Sequence, residues 1–193
     1  MRIIGGKWRS RRLVRPRTSL TRPIPDRVKQ ALFDMLGSHY DTPGVLPALR
    51  VADVFAGSGS MGLEALSRGA ESCSFFERGR EALSALRRNI ETLGASDSAT
   101  VVAVQAWSCA ELDEHGQPFN LVFLDPPYRD SEDTGGSGRV RRYLRRLAES
   151  NPHPPLVILH HQAGADFTAA ADDPWQILEQ RRFGTHRVTF FIR

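Results

Sequence analysis

Cysteine is scarce in this 193-residue chain, with Cys73 and Cys109 the only two. No metal-ligand cluster and no paired-histidine motif accompany them, so a cysteine-based metal site and a catalytic thiol are set aside and both read as small core residues. Long apolar runs are also missing. No stretch is long enough to span a bilayer, and the charged start is not followed by a signal-peptide core, so membrane insertion and export are not expected and a cytoplasmic protein is. There is no internal repeat and no sign of a separate second domain. Acidic residues are nearly absent from the first 29 positions, where Asp26 stands alone against ten Lys and Arg.

That imbalance gives the first 29 residues a net charge of +9, whereas the whole chain carries +4, so the remainder sums to −5. The basic character is local. Arg2, Lys7, Arg9, Arg11, Arg12, Arg22 and Arg27 are candidates to neutralise phosphates and release counterions, which would give salt-sensitive affinity for nucleic acid. Trp8 and the apolar pairs Ile3-Ile4 and Leu13-Val14 predict a β-hairpin turning near Gly5-Gly6 or Arg9-Ser10, with a solvated flexible terminus as the plainer alternative. A second basic element, Arg139 to Arg146, has Val140, Tyr143, Leu144 and Leu147 at helical spacing. Arg141, Arg142, Arg145 and Arg146 fall on the other side, which reads as a solvated face or, alternatively, an auxiliary RNA surface beside the glycine-rich loop 135–138.

With 40% hydrophobic residues the chain can bury one substantial α/β core. The expected division is a basic extension over residues 1–30 and the core domain over 31–193. A helix is predicted at about Pro25 to Ser38, then strand Arg50 to Phe55, helix Met61 to Arg68, strand Ser72 to Phe76 and helix Gly79 to Leu93. Strands at Thr100 to Val104, Phe119 to Leu124 and Leu156 to Leu159 follow, and the tail from Trp175 reads as a hairpin turning near Phe183-Gly184-Thr185. Strands alternating with helices imply a Rossmann-like, doubly wound, mostly parallel sheet that binds ligands outside its carboxyl ends.

Gly57, Gly59 and Gly62 fit G-x-G-x-x-G between a strand and a helix, where missing side chains let a ligand approach the backbone and let the helix pack on the strand. Glu77, 20 residues beyond Gly57 at the end of the next strand, is placed to accept hydrogen bonds from ribose hydroxyls. Together they point to an adenosine-containing cofactor, and a nicotinamide dinucleotide satisfies them equally. Asp125-Pro126-Pro127-Tyr128, after the apolar run Leu121 to Leu124, separates the two. The Asp125 side chain and the Pro126 carbonyl are two acceptors for an exocyclic amine, Pro127 stiffens the turn, and Tyr128 offers a face for an unstacked base. The plainer alternative is a turn that stops a strand. Asp53 suits the ammonium of S-adenosylmethionine, or else a local cap of the helix that follows.

Val54 to Gly59, Gly62 to Ala70 and Asp125 to Tyr128, with the opening Met1-Arg2-Ile3-Ile4-Gly5-Gly6-Lys7-Trp8-Arg9 and Arg22-Pro23, resemble the RsmD family of bacterial small-subunit ribosomal RNA methyltransferases over nearly the whole chain. The resemblance implies a seven-stranded methyltransferase sheet closed by a C-terminal antiparallel hairpin. It also implies methyl transfer from S-adenosylmethionine, leaving S-adenosylhomocysteine and using no metal, to the N2 amine of one guanine in 16S rRNA. The expected substrate context is a small-subunit assembly particle and the expected state a monomer. Phe55, Ala56, Ser58 and Arg78 join the cofactor set, as do Gln105 and Ala106, where the family commonly has an Asp. His160-His161 stands where an acid often occurs and reads as strand-end packing or solvent-facing, with no partner that the sequence names. The rivals are an adenine-N6 methyltransferase acting on DNA or RNA, a non-catalytic RNA-binding assembly factor, and a nicotinamide dehydrogenase.

Overall fold

The computed structural model describes residues 1–16, 24–108, 112–113, 115–151, 153–168 and 173–193. Arg22 and Cys109 lie outside them. By compactness the chain divides into residues 1–106 and 107–193.

In the first unit, strands β1 (Arg50–Val54), β2 (Ser72–Glu77) and β3 (Ala99–Ala103) lie in the order β3-β2-β1, all parallel. Their connections are the helices α2 (Ser60–Ser67) and α3 (Arg80–Leu93), preceded by α1 (Asp26–His39). Each helix follows from its residues. On α3, Leu83, Leu86, Ile90 and Leu93 recur on one buried face, and Gly94 ends it in the left-handed conformation at φ 64°. On α1, Val28, Leu32, Phe33 and Leu36 are buried, and Pro25 sits at the N-cap, where its missing N–H costs nothing. The strand cores are Val51, Ala52 and Val54 with Cys73, Phe75 and Phe76. Burial on both faces explains their near-continuous apolar runs.

The N-terminal segment is a hairpin docked on this unit. Arg2 and Arg12 form an antiparallel bridge, and Ile3 bonds Arg11 and Ser10 through the backbone. The turn between them holds a 3₁₀ segment, Gly6–Trp8, and Gly6 at φ +71° lies where an added Cβ would meet the Ser67 carbonyl oxygen at 1.8 Å. Only glycine fits there.

In the second unit, β4 (Leu121–Leu124) pairs in parallel with β5 (Leu156–Gln162), and β5 pairs antiparallel with β7 (His186–Ile192), which forms a hairpin with β6 (Gln176–Phe183). The order is β4-β5-β7-β6, so the described residues form seven strands with a C-terminal antiparallel hairpin, as expected. Helix α4 (Arg139–Ser150) buries Val140, Tyr143, Leu144 and Leu147. It departs from expectation at Arg141, which is buried and ion-paired with Asp173 while its guanidinium lies over Phe167 and Phe191. That arginine is a core element rather than part of a solvated face, because Asp173 offsets the cost of taking its charge out of water.

Candidate active site

The glycine loop joins β1 to α2. Phe55 enters it with φ +66°, a conformation costly for a bulky side chain, and Gly57 and Gly59 follow at φ +57° and +82°. The three predicted glycines do different things. A Cβ on Gly59 would meet Leu86 of α3 at 2.5 Å, and one on Gly62 would meet Phe75 at 2.4 Å and the Cys73 sulfur at 2.5 Å, so Gly59 lets the loop pack against α3 and Gly62 lets α2 seat on β2. A Cβ on Gly57 would meet only the Phe55 carbonyl oxygen, at 4.0 Å. Gly57 is the position whose open side a ligand can approach.

Two carboxylates hold the loop. Glu77 Oε2 accepts the Gly57 N–H at 2.9 Å, and Oε1 accepts the N–H groups of Arg78 and Gly79 at 2.8 and 2.7 Å. Asp53, buried at the end of β1, accepts the Gly62 N–H at 2.8 Å through Oδ2. Gly62 is the third residue of α2, so Asp53 satisfies an orphan donor at a helix N-terminus, the local-cap geometry. Ala56 and Ser58 are buried, whereas Arg78 and Gln105 are exposed; Ala106 is buried at the start of a 3₁₀ turn.

A buried charge network that no sequence motif announces ties the N-terminal hairpin to the same unit. Glu64 on α2 pairs with Lys29 Nζ at 3.1 Å and Arg68 Nε at 2.8 Å, and its two oxygens also take the N–H groups of Ile4 and Gly5, both at 2.8 Å. Lys29 Nζ donates as well to the Arg2 carbonyl and the Ser60 hydroxyl. Burial lowers the Lys29 pKa, against the opposing pull of Glu64. Lys29 is therefore a structural cation, not one of the arm's phosphate contacts. Asn89 on α3 is a second tie: it brackets the Val14 backbone and donates to the Ser58 carbonyl at 2.9 Å, inside the glycine loop. An amphipathic pattern could not show either, because each polar residue sits within an otherwise apolar face.

Of the candidate phosphate contacts, Arg2, Lys7, Arg9, Arg11, Arg12 and Arg27 are exposed. Lys7 Nζ lies over the Trp8 ring, 4.3 Å from its centroid, and two of the arginines have partners. Arg2 pairs with Asp26 at 3.0 Å, and Arg11 bonds the Thr92 carbonyl at 3.3 Å.

In the second unit Asp125 follows β4 directly. The parallel register pairs Leu124 with Leu159, so the next step along both strands brings Asp125 beside His160, whose Nδ1 lies 2.8 Å from Asp125 Oδ1. His160 Nε2 is in turn 3.0 Å from His186 Nδ1, and that nitrogen is 3.1 Å from the Tyr128 hydroxyl. The Asp125 side chain remains 32% exposed while that of His160 is 4% exposed. Pro126 is buried, and Pro127 and Tyr128 are half-buried, with Tyr128 opening a 3₁₀ turn. Of the two readings of His160-His161, strand-end packing agrees with the structure and the solvent-facing one does not: β5 runs on through both, both are buried, and His160 has in Asp125 a partner that the sequence does not name. His161 is separate, bonded to the Gln162 carbonyl and the Thr189 hydroxyl.

Comparison with known proteins places this geometry. The family model described as "Conserved hypothetical protein 95" matches residues 1–192. The ribosomal RNA small subunit methyltransferase D of Haemophilus influenzae is 30% identical over 185 residues, 95% of this chain and 89% of that protein. Its Escherichia coli counterpart is 43% identical over 129 residues, 67% of this chain but 61% of that protein's length. A solved structure from Escherichia coli superposes with a TM-score of 0.78 at 31% identity, covering 100% of this chain and 97% of the other. The crystal structure of an RNA methyltransferase from Salinibacter ruber in complex with S-adenosyl-L-homocysteine shares the fold at a TM-score of 0.61 and 14% identity, over 88% and 92% of the two chains. On the full-length family match and these relatives, the chain belongs to the RsmD family.

Proposed function

We propose that the chain transfers a methyl group from S-adenosylmethionine to the N2 amine of a guanine in 16S rRNA. The observation that carries this reading is the Asp125 carboxylate. It stands partly exposed on a proline-stiffened corner with Oδ1 held by His160, and Oδ2 has no hydrogen-bond partner among the described residues. A held, partly exposed acceptor at the carboxyl end of a strand suits an amine hydrogen.

The first unit fits the donor. The open side of Gly57 would admit it, Glu77 and Asp53 hold the loop's shape, and Phe55, Ala56, Ser58, Gly59 and Gly62 complete the turn, with Arg78, Gln105 and Ala106 at the neighbouring strand ends. When bound, S-adenosylmethionine supplies a methyl group already activated by its sulfonium charge. The protein's contribution is positioning. Asp125 Oδ2 accepts one amine hydrogen as positive charge grows on the nitrogen, the Pro126 carbonyl is the second acceptor, and the Tyr128 ring supports the base. A guanine must leave its stack to present that amine, which favours a loop or single-stranded target. The exposed arginines of the hairpin supply the phosphate contacts, and the substrate context is a small-subunit particle met by a cytoplasmic monomer.

Incubation with labelled S-adenosylmethionine and either immature small subunits, naked 16S RNA or DNA, followed by nucleoside mass analysis, tests the reading. N2-methylguanosine confined to 16S RNA supports it. N6-methyladenosine, or cofactor binding with no transfer to any of the three, overturns it.

A further inference from the structure

In the transfer as proposed His160 only holds Asp125 Oδ1, and the geometry of the histidine pair behind the Asp-Pro-Pro-Tyr corner assigns it a wider part. His160 on β5 and His186 on β7 lie on the same face of the second unit's sheet: the register pairs Gln162 with His186, and His160 is two residues before Gln162. Their rings are 5.1 Å apart and within 18° of parallel, and both are buried. One assignment of hydrogens satisfies all three contacts. An ionised carboxylate only accepts, so with Asp125 ionised His160 Nδ1 is the donor to Oδ1. With His160 neutral, its Nε2 lone pair faces His186 Nδ1, which is then the donor. The Tyr128 oxygen, 3.1 Å from the same His186 nitrogen, shares that hydrogen.

Resting on the proposed methyl transfer, we infer that His160 is a positioning residue for it, and that the His160-His186 pair clamps both ends of the Asp125-Pro126-Pro127-Tyr128 corner at once. One end of the clamp occupies Asp125 Oδ1, so the carboxylate cannot rotate and Oδ2 is the oxygen turned to the amine. The other end holds the Tyr128 hydroxyl, which fixes the ring that supports the base. The prolines stiffen the backbone between the two, and the histidine contacts add restraint on the Asp125 and Tyr128 side chains. Neither histidine touches a reacting atom. Their effect is on the fraction of time the acceptor and the aromatic face are both aligned, and a misplacement of an ångström in such a group costs up to about 100-fold in rate.

The test is single-turnover methylation with saturating 16S RNA and S-adenosylmethionine. An asparagine places its amide N–H near the position of the histidine Nδ1, whereas a glutamine reaches toward Nε2 and leaves Asp125 unheld. His160→Gln is expected to lower the rate about 30- to 100-fold with the dissociation constants for donor and RNA within about twofold, and His160→Asn to recover to within about fivefold of the unsubstituted enzyme. Equal losses in the two variants, tracking their thermal stability, would overturn the positioning role, as would normal turnover in His160→Gln beside an inactive Asp125→Ala. Absence of transfer by the unsubstituted enzyme would overturn the proposed function instead. Nitrogen-15 NMR of the unsubstituted protein keeps the inference testable if the buried variants fail to fold: a protonated Nδ1 on His160 that shifts in Asp125→Asn is expected, and an unprotonated or unresponsive Nδ1 overturns it.

Discussion

At the scale of single residues, the two neighbouring histidines of β5 divide their work. His161 is fully buried, and desolvation, with smaller contributions from Arg187 and His160, lowers its pKa from 6.5 to about 4 although its bond to the Gln162 carbonyl opposes the shift. The unfolded chain therefore takes up a proton near pH 6.5 that the folded chain refuses until about pH 4. Stability from neutral His161 is complete above pH 6.5 and is lost as the pH falls through that window, by at most roughly 3 kcal/mol. Urea midpoints measured between pH 7 and pH 4.5 should fall in the parent protein and fall less in His161→Gln. Asp125 carries a different expectation. Asp125→Ala should reduce methyl transfer at least about 100-fold while S-adenosylmethionine affinity, measured by calorimetry, stays within a few fold, because the residues proposed for the donor belong to the first unit.

At the scale of elements, α2 is the piece most constrained from all sides. Its N-terminus is capped by Asp53, Gly62 seats it against Phe75 and Cys73, and Glu64 anchors the N-terminal hairpin together with Lys29 and Arg68. Removing one member of a buried ion network strands the others, so Glu64→Ala should cost about 3–5 kcal/mol in chemical denaturation. A methyl at Gly62 has no free volume, and Gly62→Ala should cost about 1–3 kcal/mol even though alanine is the better helix former. The stabilising effect of propensity is smaller than the overpacking it would cause. The glycine spacing was legible in the sequence because it follows a local backbone demand, while the anchoring role of Glu64 was not, since its partners are 35 residues before it on α1 and four residues after it, just past α2.

At the scale of the whole molecule, charge is segregated along the chain: ten basic residues against one acidic in the first 29 positions, and a net −5 in the rest. Docking of the hairpin removes Lys29 from the solvent-facing set and leaves Arg9 and Arg12 exposed. Reversing the charge of Arg9 and Arg12 should weaken RNA binding and flatten the plot of log affinity against log salt by roughly 0.7 for each phosphate that is no longer neutralised, which a filter-binding titration at several salt concentrations reads directly. Among the described residues no helix is long and apolar enough to cross a membrane.

The elements and their class were written in the order of the residues. Apolar runs, glycines at turns and helical spacing are local demands of the backbone, and they marked the starts of β1 at Arg50, β2 at Ser72 and β5 at Leu156. The glycine loop and the Asp-Pro-Pro-Tyr corner were legible for the same reason, because each is a short string whose chemistry is carried by adjacent residues. Which polar residues turn inward, and what they meet there, was settled by packing in three dimensions. Arg141 and Lys29 turned inward to carboxylates, and His160 met Asp125 through a strand register that no local pattern encodes. The reason is physical: a buried polar group is stable only where a partner from elsewhere in the chain satisfies it, so its role is fixed by that partner's position in space.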